Sequence, residues 1–348
     1  MLWLTWRQFR AQTIVAAGGL TVLAVLLAVT GPHLASLYAS SGVPDCQAHG
    51  DCARATASFA SGLHGSISEV LAFVGIAVVY GAPAGIGLFW GAPLITRELE
   101  AGTLRLAWSQ SVTRTRWLAV KLGLIGLAAM ATAGLLTLMV TWWAAPIYRA
   151  GQQAAPDTSL SLNWLDPNLF GAHGLAPVGY AAFAFALGVT AGVLIRRTLP
   201  AMAVTLAVFA LVQLVMPLWV RPHLITPMRA DAALNVNGNL TTEMTGAGGQ
   251  MILVGAVDRP GAWVLSNQTV TPAGRPFTGP PPQACASQTA PPQACTASLA
   301  RLHLRQVVTY QPASRYWAFQ WYETAIFVIL ALALAGFCFW RLRRRRLG

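Results

Sequence analysis

Charge is what this sequence has least of. Only 10% of its 348 residues are charged, against about 25% in soluble domains. Lysine occurs once, at Lys121, and the 11 acids face 23 basic residues. With 55% hydrophobic residues and a mean hydropathy of +0.54, the deficit excludes a soluble globular chain and leaves a membrane protein. No Asp, Glu, Lys or His stands in the middle of a long apolar segment, which argues against a proton- or sodium-coupled carrier. There is no His-Glu-x-x-His, no Gly-x-Ser-x-Gly and no phosphate loop, so the chain cannot hydrolyse a nucleotide alone. The six histidines (33, 49, 64, 173, 223 and 303) have no ligand spacing, and no metal site is expected. A net charge of +12 does not point to nucleic acid, because no patch interleaves basic and aromatic residues.

What is present is apolar length. A helix needs about 20 apolar residues to span a bilayer, and six segments qualify: Gln12–Leu34, Val70–Ile95, Trp117–Trp143, Pro177–Ile195, Leu199–Val220 and Tyr322–Trp340. The first is too long for a signal-peptide core, so an uncleaved span is expected. Placing both termini in the cytoplasm puts 14 of the basic residues in short inner segments. These are residues 1–11, 96–122, Arg196-Arg197 and the tail Arg341–Arg346, as the positive-inside rule asks. The expected organisation is an interfacial helix over 1–11, spans over 12–220 with a cytoplasmic insert at 96–122, an exterior segment over 221–321, and a last span with its tail over 322–348. The fold class is an all-α polytopic membrane protein with six transmembrane helices, in the plasma membrane and in contact with its lipids.

The exterior pieces hold four of the five cysteines. Cys46 with Cys52, and Cys285 with Cys295, lie close in sequence in an oxidising compartment, which suits local disulfides; free thiols are the alternative. Residues 144–176 read as a short polar loop. Residues 272–292 read as irregular chain, and the pattern after Leu299 as a helix returning to the membrane. In span two, Gly81-Ala-Pro83, Gly85, Gly87 and Gly91-Ala-Pro93 mark a helix that packs closely or bends, with Pro83 a candidate pivot. Polar candidates for a translocation path are Thr137 and Thr141 in span three, Thr190 in span four, and Thr205 and Gln213 in span five.

The 96–122 insert is the most informative segment. It is charged and amphipathic, and it lies between two apolar spans. Glu98 and Glu100 read as acids near the start of a short helix, suiting its dipole. Gly102-Thr103 allows a turn or cap, and Leu104, Leu106 and Trp108 offer apolar knobs to a soluble partner.

Arg97-Glu-Leu-Glu-Ala-Gly-Thr103, followed by Ser109-Gln-Ser-Val-Thr-Arg114 and Lys121, resembles the permease subunit of ABC-2-type exporters. The N-terminal aromatic and basic residues (Trp3, Trp6, Arg7, Phe9, Arg10), six spans and a large segment before the last span fit the same plan. The tryptophan-rich start and Trp108-Ser-Gln-Ser111 resemble permeases common in high-GC actinobacteria. The chain departs from the family at Gln110-Ser-Val112, where a proline is frequent. The resemblance implies that the 96–122 element, through Arg97, Glu98, Glu100, Gly102, Thr103, Leu104, Trp108 and Arg114, couples the chain to a separate ABC ATPase. It implies two ATPase copies holding ATP and Mg, no cofactor on this chain, and a second permease chain, expected as a homodimer. The uncharged spans suit a hydrophobic or amphipathic substrate: drug, lipid or peptide. Alternatives are a membrane sensor using the exterior segment, or a gradient-driven carrier.

Overall fold

A computed structural model describes residues 2–100, 114–154, 164–234, 240–245, 250–255, 261–278, 282–286 and 292–344. Its helices are α1 (Leu2–Ser40), α2 (Cys52–Leu63), α3 (Ile67–Ile86), α4 (Pro93–Glu100), α5 (Arg114–Gln153), α6 (Ala176–Ile195), α7 (Thr198–Val215), α8 (Pro292–Ala300) and α9 (Tyr316–Arg344), with shorter turns between them. Among the described residues six helical stretches are long and apolar enough to cross a membrane, and the membrane part is all-α. Nothing between Arg10 and Gln12 breaks a helix, so residues 2–11 run into the first span without interruption. The loop expected from residue 144 begins later, because α5 continues to Gln153. Its added turns bury Ala144, Ile147, Tyr148 and Ala150, and a helix with an apolar stripe at that spacing gains more from packing than from ending.

The bundle is built around α6. Its apolar window is 72% buried, against 6% for α1 at the periphery. Close approach to span two makes that central position possible. A Cβ on Gly87 would lie 2.7 Å from the Ala184 carbonyl oxygen, and one on Gly91 would lie 2.6 Å from that of Phe185. On the facing helix, a Cβ on Gly192 would lie 2.8 Å from the Ala92 carbonyl, and one on Gly188 would meet the Gly87 carbonyl. Two glycine pairs, each spaced by four, therefore let the backbones touch, as small-residue packing in membranes requires. Gly81 and Gly85 face open space and take no part in this contact.

The same stretch changes its helical winding. Pro93 carries no N–H, so the carbonyl of Phe89, four residues earlier, loses its usual donor. Residues Gly87–Gly91 form a π turn, in which the Ala92 amide donates to Gly87 at 2.9 Å. Gln12 of α1 then donates its side-chain amide to the Phe89 carbonyl at 2.8 Å, replacing the missing partner. Elsewhere Trp143 Nε1 donates to Thr30 Oγ1 at 3.0 Å, which fixes α1 against α5.

Among the described residues, strands are confined to the segment before the last span. β1 (Met228–Ala233), β5 (Arg305–Gln311) and β4 (Trp263–Val270) form an antiparallel sheet in that order, beside a hairpin of β2 (Leu240–Thr245) and β3 (Gln250–Gly255). The helix expected after Leu299 is therefore corrected: Val307-Val308-Thr309-Tyr310 is β-branched and aromatic, and it forms the central strand. Gln306 and Asn267 both donate to the Gly255 carbonyl, at 2.6 and 2.9 Å, joining the hairpin to the sheet. Disulfides join Cys46 to Cys52 and Cys285 to Cys295; the second ties α8 to a short turn at Gln283–Ala286. The sheet lies at one end of the bundle. The start of α1 and the end of α9 lie at the other, where Phe9 and Cys338 share a core cluster.

Candidate functional site: the element after span two

α4 is an eight-residue helix at the end of the bundle that carries both termini. Pro93 starts it, and the donor that it lacks is the one Gln12 supplies to the Phe89 carbonyl. Ile95 and Thr96 point into the core, while Arg97 is exposed. Glu98 and Glu100 stand five and seven residues after Pro93. Each is held by a different span.

Glu98 accepts a hydrogen bond from Lys121 Nζ, one turn into α5 beyond Trp117. Lys121 is only 4% exposed, and its ammonium also lies 4.6 Å from the centre of the Trp117 ring. Glu100 reaches the start of α7. Its two oxygens accept from the Thr198 amide at 2.8 Å and the Thr198 hydroxyl at 2.9 Å. Thr96 Oγ1 lies 2.8 Å from the same hydroxyl. The carboxylate thus caps a helix N-terminus that is not its own. The Thr198 amide, then the Thr198 hydroxyl, holds the Glu100 carboxyl below the ordinary carboxylate range against an opposing desolvation cost, and Arg197 adds to the lowering. One short helix is thereby pinned to spans three and five.

At the sheet end lies a polar cluster that sequence reasoning missed. Arg221 and Glu323, read as loop and span-edge residues, are both fully enclosed. Arg221 donates from Nε to Glu323 Oε2 at 2.9 Å and from Nη2 to Oε1 at 3.1 Å. Tyr180 of α6 donates to the same carboxylate, and the guanidinium lies 4.2 Å from the Phe170 ring centre. One turn before Glu323, Gln320 accepts from the amides of Leu175 and Ala176 at 2.9 and 2.8 Å, capping α6. The signal available in sequence was an arginine closing one apolar run and a glutamate opening another at the same level. His173, in the loop before α6, is packed edge-on against Tyr148 and Trp164. Burial pushes its pKa down to about 4, although its bond to the Leu169 carbonyl opposes the shift.

A family model described as ABC-2 membrane transporter related matches residues 17–221, more than half of the chain. The chain belongs to this family. No curated protein and no solved structure matches it. An ABC-2-type permease is a transmembrane subunit that works with an ABC ATPase, and the six apolar helices agree with a multi-pass membrane protein. The matched region includes α4 and its clamps on spans three and five, and stops before the sheet. Of the permease's sequence-predicted coupling residues, Arg97, Glu98 and Glu100 come together on α4, and Arg114 opens α5. Gly102, Thr103, Leu104 and Trp108 lie outside the described residues. Pro83 and Thr137 are buried, Thr137 spending its hydroxyl on the Ala133 carbonyl at 2.8 Å. Thr190 and Thr205 likewise donate to their own helices. Thr141 Oγ1 and Gln213 Nε2 are buried without partners. Of these, only Thr141 lines the groove of about 700 Å³ that Trp164 and Trp317 border.

Proposed function

We propose that this permease serves an ATP-driven exporter for hydrophobic or amphipathic molecules. It works as a homodimer with two separate ATPase subunits that hold ATP and Mg, and both of its termini are cytoplasmic. The observation that carries this reading is the double clamp on α4. Glu98 to Lys121 and Glu100 to Thr198 tie one surface helix to two spans, so a push on α4 from a soluble partner moves both together. Polar bonds suit that role, because they fix direction as well as distance. The uncharged middles of the spans support a substrate that leaves hydrocarbon without shedding a charge.

The decisive experiment is gentle purification of the tagged chain from its own membrane in nanodiscs, with mass spectrometry of bound polypeptides. A stoichiometric chain carrying a phosphate-binding loop is the expected result. A permease that emerges alone at every salt concentration overturns the coupling assignment.

A further inference from the structure

A cavity of about 250 Å³ opens at the terminal end of the bundle, between the starts of α1 and α5 and the junction of span two with α4. Its lining is sorted by depth. Arg97, Glu98 and Lys121 stand where the second span ends and the third begins, at the level of a bilayer surface. Trp90 lies about two turns deeper than Glu98, and Ile125 about one turn deeper than Lys121, so the cavity floor is apolar. Phe9 of α1 closes the side and meets Trp90 edge-on, their ring centres 4.8 Å apart.

Among the described lining residues two cations, Arg97 and Lys121, stand beside one acid, Glu98. Glu98 pairs with Lys121. Arg97 also lines the cavity, is exposed, and has no acid within ion-pair distance among the described residues. A guanidinium with no acid beside it among the described residues, above an apolar slot, fits a molecule with one anionic phosphate and a hydrocarbon tail. A guanidinium matches phosphate oxygens with two parallel donors, and the slot rewards the tail by removing apolar surface from water. A free anion would use only the first of these.

We propose that this cavity binds one anionic phospholipid, its phosphate on Arg97 and an acyl chain against Trp90 and Ile125. The binding claim is independent of the transport reading. Its consequence, that the lipid steadies α4, rests on that reading.

The test is native mass spectrometry of the full purified chain titrated with dioleoyl phosphatidylglycerol or dioleoyl phosphatidylcholine. One site preferring the anionic lipid by about fivefold or more is expected from a single interfacial cation. Arg97→Gln should abolish the preference, Arg97→Lys should keep most of it, and Arg10→Gln, which alters an exposed cation outside the cavity, should leave it intact. Excess inorganic phosphate should not displace the lipid. Equal binding of the two lipids by the unaltered chain overturns the proposal, and that comparison needs no variant. It is overturned equally if the preference survives Arg97→Gln, if Arg10→Gln removes as much of it, or if inorganic phosphate competes the lipid away.

Discussion

Replacing Glu98 with Gln should separate what α4 does for stability from what it does for coupling. Lys121 is 4% exposed and Glu98 15%, so Glu98→Gln leaves an ammonium facing the protein with no opposite charge. Breaking a buried pair from one side costs about 3–5 kcal/mol. The lower end applies here, because Glu98 retains some contact with water and Trp117 still covers Lys121. We expect a loss of about 3 kcal/mol in the unfolding free energy measured by titrating dodecyl sulfate into dodecyl maltoside micelles. Adding Lys121→Met removes the stranded charge and should restore much of that loss, since a neutral amide beside an apolar side chain leaves no buried charge unpaired. Coupling should not return with it. The double variant has lost the directional bond from α4 to span three, so stimulation of the partner's ATP hydrolysis should remain impaired. Two results would refute the reasoning. A single-variant cost under about 1 kcal/mol would mean that Lys121 is not enclosed as described. A double variant with normal stimulation would reduce the pair to a structural contact.

The cluster at the sheet end makes a parallel prediction: Glu323→Ala should destabilise by about 3–5 kcal/mol, and Glu323→Met with Arg221→Met should recover most of it in the same titration. Gly188→Ala places a methyl against the Gly87 carbonyl; overpacking there should cost about 1–3 kcal/mol, while Gly81→Ala, with nothing near its Cβ, should cost nothing measurable. His173 supplies the pH dependence. Its folded pKa of about 4 lies below the unfolded value of 6.5, so its stability contribution is complete above pH 6.5 and is lost as pH falls through that window towards 4. The loss is up to about 3 kcal/mol. His173→Phe should flatten that part of the stability–pH curve, and an unchanged slope would show that His173 is not the group responsible.

Sequence made the membrane part legible because its governing constraint is local. A bilayer demands a fixed length of apolar residues with every backbone group bonded inside the segment, and each of the six stretches can be checked without knowing its neighbours. The charged insert after span two was legible for a related reason, since charged residues between two spans lie outside the hydrocarbon. The strand at Arg305–Gln311 was not. Leu302, Leu304, Val307 and Val308 fit a helical stripe as well as a strand over so short a run, and what made it a strand was the pairing with β1 on one side and β4 on the other.

The sequence by itself determined that this chain crosses a membrane six times, where its polar insert lies, and that no span carries a charge at its centre. Those properties are sums over neighbouring residues. Tertiary structure alone decided which partner each polar group meets. Glu98 goes to Lys121, 23 residues on; Glu100 goes to Thr198, 98 residues on; and Arg221 goes to Glu323, 102 residues on. Such pairings depend on how helices cross, and the crossing was set by glycines whose importance lies in the backbone that touches them. Gly87 and Gly188 look in sequence like Gly81 and Gly85. Only the first two meet another helix, and around that contact the bundle, the clamps and the cavity beneath Arg97 take their shape.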